Sequence, residues 1–146
     1  MQFFTKAAIA AAILLTACGK QVSKPGAPPE RQDRNIRFYI TLDPATARDP
    51  LQTQASLHLT VISATANKLH TEVVFDTLIP MRRLSDFPGP KEPLLIETTV
   101  SVRDASSELL GFRYQAFYRT GQKLETQSGS GNFPAGNNHC SAAINL

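Results

Sequence analysis

Apolar and polar residues alternate with a period of two over most of the chain after residue 35. This alternation is the pattern of half-buried β-strands. In Leu94 to Arg103, for example, Leu94, Ile96, Val100 and Val102 share one face with Thr98, and the other face is polar except for Leu95. The pattern predicts seven strands, over residues 36–42, 56–61, 69–79, 94–103, 110–118, 122–128 and 140–146. In the fifth strand, the face opposite the apolar one consists of Arg113, Gln115, Phe117 and Arg119.

Turn residues separate these segments. Asp43-Pro44, Asp104 to Ser107 and Thr120-Gly121 are expected to end strands or join hairpins. The one stretch with some helical character, Pro44 to Ala55, is interrupted by Pro50, so at most one short turn is expected there. Seven short strands in about 110 residues predict an all-β, immunoglobulin-like β-sandwich over residues 36–146. Sandwiches serve as enzymes, binding modules and scaffold parts, so the fold alone does not define a function.

An apolar run of eleven residues, Ala7 to Ala17, follows Lys6 near the N-terminus. A membrane-spanning helix needs roughly 20 residues, whereas this length suits the apolar region of a signal peptide. The run ends in Leu15-Thr16-Ala17-Cys18, which resembles the lipobox of bacterial lipoproteins. An ordinary secretory signal is the alternative, but Leu15 does not suit the small residue that such a cleavage site requires.

The lipobox resemblance implies cleavage before Cys18 and attachment of lipid to its sulfur. Residues 1–17 would then be a lipoprotein signal peptide. Several acyl chains together anchor a protein firmly to a membrane. Gly19 stands where an aspartate commonly retains such proteins in the inner membrane. The resemblance therefore implies the outer membrane, with the protein on its periplasmic face.

Residues 18–35 are expected to form the lipidated cysteine and a flexible linker, because they lack periodicity and contain four prolines or glycines in Pro25 to Pro29. Between Cys18 and Arg37, five Lys and Arg stand against two Asp and Glu, a net charge of +3. From Phe38 onward, nine basic residues stand against ten acidic residues, a net charge of −1. The basic charge either attracts anionic headgroups or only keeps the linker extended. Nucleic-acid binding is not expected, because the sandwich carries no basic stripe.

Residues Phe112 to Gly121 weakly resemble small periplasmic lipoproteins of the YcfL type, which have an aromatic-rich strand, a glycine turn and an immunoglobulin-like fold. The likeness covers about a dozen residues. Arg119 replaces the acidic residue that usually precedes the turn. The resemblance supports the fold and implies no function.

No enzyme, metal site or cofactor is predicted. The chain contains no nucleophile elbow, phosphate-binding loop or zinc-protease helix. His58 and His70 are expected on outward strand faces, and His139 is expected to point away from its neighbour Cys140. Cys140 is the odd cysteine if Cys18 carries lipid. It is either buried and inert or forms a disulfide with another chain.

The long connection Pro80 to Pro93 is the candidate partner-binding segment, because four prolines reduce the entropy lost on binding. Its candidate residues are apolar anchors and charged partners: Met81, Leu84 and Phe87, with Arg82 and Arg83. Alternatively, this segment crosses between the sheets and its apolar residues cover one end of the sandwich. The second loop, Gly129 to Asn138, is expected to be a flexible connection.

These observations together predict an outer-membrane-anchored periplasmic lipoprotein that binds an envelope protein. It would be an assembly component of a secretion, conjugation or pilus apparatus. One alternative is a housekeeping lipoprotein that contacts peptidoglycan or an outer-membrane protein. Another is a small hydrolase or hydrolase inhibitor. A His–Asp–Ser cluster in a pocket would favour the hydrolase.

Overall fold

The structure is a computed structural model, and it describes residues 31–65, 67, 70–103 and 108–146. The predicted signal peptide, Cys18 and most of the predicted linker lie outside the described residues. So does the predicted turn over residues 104–107. Within the described ranges, no helix has the length and apolar character needed to cross a lipid bilayer.

Seven strands account for most of the described chain, as the alternating pattern predicts. They are β1 (Gln32–Thr41), β2 (Thr53–Thr65), β3 (Thr71–Arg83), β4 (Leu94–Val102), β5 (Glu108–Thr120), β6 (Lys123–Asn132) and β7 (His139–Asn145). A single 3-10 turn, Leu84–Asp86, follows β3. The two-residue loop between β5 and β6 contains Gly121, whose φ of 59° is the left-handed conformation that such hairpins need. The predicted turn at Thr120-Gly121 is confirmed.

The strands form a three-stranded sheet in the order β4-β1-β7 and a four-stranded sheet in the order β3-β2-β5-β6. β1 pairs antiparallel with β4 and parallel with β7. The predicted all-β sandwich of seven strands is confirmed. The division into four and three strands is that of an immunoglobulin constant-type domain, whose sheets in chain order are 1-2-5-4 and 3-6-7. The strand order here is different. In the immunoglobulin domain the connections from strand 2 to 3 and from strand 5 to 6 cross between the sheets. Here the hairpins β2–β3 and β5–β6 each stay within one sheet.

The core lies between the two sheets, where every second residue of the central strands is buried. Phe38 of β1 and Phe112 of β5 meet edge to face across the core, with ring centroids 5.5 Å apart. Phe133 completes this aromatic cluster at 5.3 Å from Phe112. The aliphatic core comes from both sheets: Ile36, Ile40, Val100, Val102 and Ile144 from one, and Leu57, Leu59, Val61 and Leu110 from the other.

β1 begins at Gln32, four residues before the predicted boundary between linker and sandwich at Ile36. The difference arises from Arg34, which is fully buried although its charge suggested a linker residue. Its Nε donates to the carbonyl of Asn137 at 2.7 Å, and Nη2 donates to the carbonyl of Pro134 at 2.5 Å. No described carboxylate forms an ion pair with Arg34. Backbone carbonyls of the β6–β7 connection therefore provide its buried acceptors.

β6 extends through Asn132, so the predicted flexible loop Gly129 to Asn138 is half strand. This part of the chain is a strand because its glycines lie opposite aromatic residues of β5. Gly129 is paired with Tyr114, and Gly131 is paired with Phe112, both on the inner face. A Cβ on Gly131 would lie 2.6 Å from the Phe112 ring, so only glycine leaves room for it. The aromatic residue of the predicted loop, Phe133, is buried in the core.

We expect Arg34→Ala to lower the free energy of unfolding by about 3 kcal/mol, because two buried carbonyls would lose their donors and a cavity would form. Urea denaturation of the purified protein measures this change. Arg37→Ala is the matched control, because Arg37 lies on the same strand but outside, where it pairs with Glu97 at 2.9 Å. The urea concentration at which Arg37→Ala is half unfolded should hardly change. Equal effects of the two substitutions would contradict a structural role for the buried guanidinium.

Candidate functional site

The predicted partner-binding segment is largely part of the folded sandwich. β3 continues through Met81, Arg82 and Arg83, so these residues belong to a strand and not to a loop. Leu84 is fully buried and Phe87 is 3% exposed. Leu84 and Phe87 therefore offer almost no surface to a partner in the folded chain, and their role as partner anchors stays a prediction. Their apolar surface covers one end of the sandwich, as the alternative interpretation held.

The three other predicted residues differ in their exposure. Arg82 is half-buried, and its guanidinium carbon lies 4.1 Å from the centroid of the Phe87 ring. This cation–π contact ties the end of β3 to the segment after the 3-10 turn. Met81 is 41% exposed, and Arg83 is also exposed. Met81 and Arg83 thus remain on the surface, while Arg82 has a structural partner.

Cys140 is 6% exposed and lies on the inner face of β7. Its Sγ accepts a hydrogen bond from Nη2 of Arg34 at 3.3 Å and lies 3.6 Å from the carbonyl oxygen of Asn137. An intermolecular disulfide would require the β6–β7 connection to open around this sulfur. The geometry favours the buried, inert alternative.

A shallow groove crosses the outer face of the four-stranded sheet, where the structure brings together residues of β2, β5 and β6. One half has a volume of about 510 Å³ and a polar lining. The other half has a volume of about 580 Å³ and a more apolar lining. The two halves meet at Arg113 and Ser130. We define this sheet-face groove by its outward residues: His58, Thr60, Ile62 and Ala64 of β2, Leu109, Gly111, Arg113 and Gln115 of β5, and Ser128, Ser130 and Asn132 of β6.

The strand register explains the groove. Thr60 is paired with Arg113, and Arg113 is paired with Ser130, so the three form one row across the sheet. Their inward neighbours are core residues such as Leu59 and Val61. Ser128 and Ser130 of β6 are shorter than Gln115 and Arg113, to which they are paired, so the outer surface is depressed along these two rows. Asn132 lies opposite Gly111 in the next row.

His58 and Asp76 form the one close titratable pair beside the groove among the described residues. Nε2 of His58 lies 2.5 Å from Oδ1 of Asp76, and the Thr60 hydroxyl donates to the same oxygen at 3.3 Å. No described serine hydroxyl hydrogen-bonds His58. Ser128 lies in the same row but two strands away, roughly 10 Å at ordinary strand spacing. The pair therefore lacks the nucleophile that a catalytic triad needs.

Arg113 has no hydrogen-bond or ion-pair partner among the described residues, whereas Arg119 on the same strand face donates to Oε1 of Gln54. Arg83 of β3, opposite Gln54, has no such partner among the described residues either, but it lies outside the groove. The residues that flank Arg113 in the polar half are uncharged: Thr60, Gln115, Ser128 and Ser130. The guanidinium is thus the free charge of the groove. In the described residues, no group of three His, Cys, Asp or Glu side chains is placed to hold a metal ion.

Sequence reasoning found part of this face. The alternation placed His58, Arg113 and Gln115 on outward positions, as the structure confirms. It missed Ser130 as a groove residue, because Gly129 and Gly131 indicated a loop, and it placed Ser128 at the end of the sixth predicted strand without a role. The alternation of serine and glycine in Ser128 to Gly131 was the available signal, since small residues at every second position can face aromatic rings within a sheet.

Comparison with protein-family models, with curated proteins and with solved structures finds no match for this chain.

We expect Phe87→Ala to lower the free energy of unfolding by roughly 3 kcal/mol, because it removes a buried ring and its contact with Arg82. Met81→Ala should change it little, because Met81 lies largely on the surface. Thermal and urea denaturation of both variants measure the difference. If Phe87→Ala were as stable as Met81→Ala, Phe87 would again be available as a partner anchor.

Proposed function

We propose that this protein is a lipid-anchored lipoprotein of the bacterial envelope, held on the periplasmic face of the outer membrane through Cys18. Leu15-Thr16-Ala17-Cys18 supports the anchor, since residue types and position both agree with a lipobox. Gly19 supports the outer membrane. In this proposal the sandwich is a binding module and catalyses no reaction.

The observation that carries the binding role is the sheet-face groove with its unpaired Arg113. A guanidinium and exposed apolar side chains on one strand face provide the kinds of contact that interfaces concentrate. The groove lies on regular strands, so its side chains are held in place before a partner arrives. This preorganisation reduces the entropy lost on binding.

The proposal makes the protein an assembly component of an envelope machine such as a secretion, conjugation or pilus apparatus. A housekeeping role in contact with peptidoglycan or an outer-membrane protein is the second candidate, and it would use the same anchor. A hydrolase is the weaker candidate, because the His58–Asp76 pair has no serine within hydrogen-bond reach among the described residues.

Cys18→Ser should release the protein from the membrane fraction without changing its thermal unfolding, because the substitution removes the sulfur that lipid would modify. Cell fractionation together with labelling by radioactive palmitate measures the release. Cys140→Ser is the matched control and should keep the label and the membrane location. Labelling that persists in Cys18→Ser would contradict the anchor.

A photo-crosslinking residue at Gln115, inside the groove, should capture an envelope protein in intact cells. The same residue at Thr99, which lies exposed on the other sheet, is the matched control and should capture none. Gel shifts and mass spectrometry identify the products. Equal capture from both positions would contradict the groove as the binding surface. Capture from Thr99 alone would assign binding to the three-stranded sheet.

A further inference from the structure

We infer that the sheet-face groove binds an extended peptide segment that carries an acidic side chain and, two and four residues away, apolar side chains. The inference deepens the proposed function, on which it rests, by naming the chemistry of the partner.

Charge complementarity is the first argument. Arg113 stands at the centre of the groove, in both of its halves, and no described residue pairs with it. The carboxylate on the adjacent part of the sheet, Asp76, already accepts from Thr60 and contacts His58. A carboxylate from outside can therefore approach Arg113 without displacing a partner. Arginine suits this role because its planar fork of donors matches a carboxylate.

The apolar half of the groove supplies the second argument. Ile62 and Ala64 of β2 face outward beside Leu109 of β5, which is 44% exposed. Gly111 lies between Leu109 and Arg113 on the same strand face and has no side chain to fill the space. Asn132 of β6 is paired with Gly111, and its Oδ1 lies 3.0 Å from where a Cβ of Gly111 would stand. The row of Ile62 and Gly111 therefore has an apolar side at β2 and the Asn132 amide at β6. An apolar side chain placed there would be partly removed from water.

The spacing supplies the third argument. Arg113, Gly111 and Leu109 succeed one another at every second residue of β5, which is the repeat of side chains on one face of an extended chain. From the His58 row to the Ala64 row the groove is roughly 20 Å long, the length of about six extended residues. An extended peptide lying along β5 would place residues i, i+2 and i+4 over these three positions.

The same observations favour a peptide over a glycan. Phe112 and Tyr114 border the groove but pack against the core from the inner side of β5, so neither ring is a stacking platform on the outer face. The exposed ring of this face, Phe117, lies beyond Gln115 and does not line the groove. A bound glycan would provide no apolar side chain to contact Ile62 and Leu109.

Fluorescence polarisation with labelled synthetic peptides tests the inference on the full-length protein in detergent. Two acidic probes are used, acetyl-Ser-Glu-Ser-Leu-Ser-Leu-Ser-amide and the peptide of reversed sequence. The pair covers both directions in which a peptide can lie along β5. A matched probe carries Gln in place of Glu. We expect one of the two acidic probes to bind about two- to fivefold more tightly than its Gln counterpart, the range that one exposed ion pair contributes.

Arg113→Gln should abolish the preference for Glu over Gln, while Leu109→Ser should weaken both probes severalfold. Arg103→Gln and Leu51→Ser are the matched controls, because both residues are exposed but lie outside the groove, and neither should change the affinity. Circular dichroism checks that each variant is folded.

Three outcomes would overturn the inference: no binding of either acidic probe, equal binding of the Glu and Gln probes, or equal effects of the groove and control substitutions. Chitin oligomers and soluble peptidoglycan fragments are added as competitors. Displacement of the probe by either glycan at lower concentration than by unlabelled peptide would assign the groove to a sugar ligand. Membrane release of Cys18→Ser is measured independently. If the peptide did not bind, the test of the lipid anchor would be unaffected.

Discussion

The buried guanidinium of Arg34 holds together the two ends of the folded chain. β1 and β7 are adjacent and parallel, and a parallel pair cannot be joined by a tight turn. The connection from β6 must cross from one sheet to the other before β7 begins. Arg34 bonds two carbonyls of that connection, at Pro134 and Asn137, and so fixes its path. The carbonyl dipoles offset part of the cost of burying the charge, in the absence of a described carboxylate partner.

The pairing of aromatic rings with glycines shapes both faces of the four-stranded sheet. Phe112 and Tyr114 occupy the inner space above Gly131 and Gly129, so β6 lies close to β5 without bulky inward side chains. Ser128 and Ser130, which alternate with those glycines, face outward and are small. The same four-residue stretch of β6 therefore completes the core on one side and forms the low wall of the groove on the other.

Location and recognition are divided between separate parts of the chain in the proposed function. Cys18 and the basic segment after it would attach the protein to a membrane, and the sandwich would present a prepared surface. Arg113 gives that surface its charge, and Leu109 with Ile62 gives it apolar area. The His58–Asp76 pair borders the groove and has no neighbouring nucleophile among the described residues.

The sequence by itself determined the β class, the approximate strands and their outward faces, because alternation is a local property set by the geometry of an extended backbone. It correctly placed Arg113 and Gln115 on an outer face and Gly121 in a turn. Only the tertiary structure decided that Arg34 is buried, that Leu84 and Phe87 are core residues, and that Ser130 lies beside Arg113. Each of these depends on which strands become neighbours. Strand pairing joins residues far apart in sequence, and the periodicity of one strand carries no information about its partner.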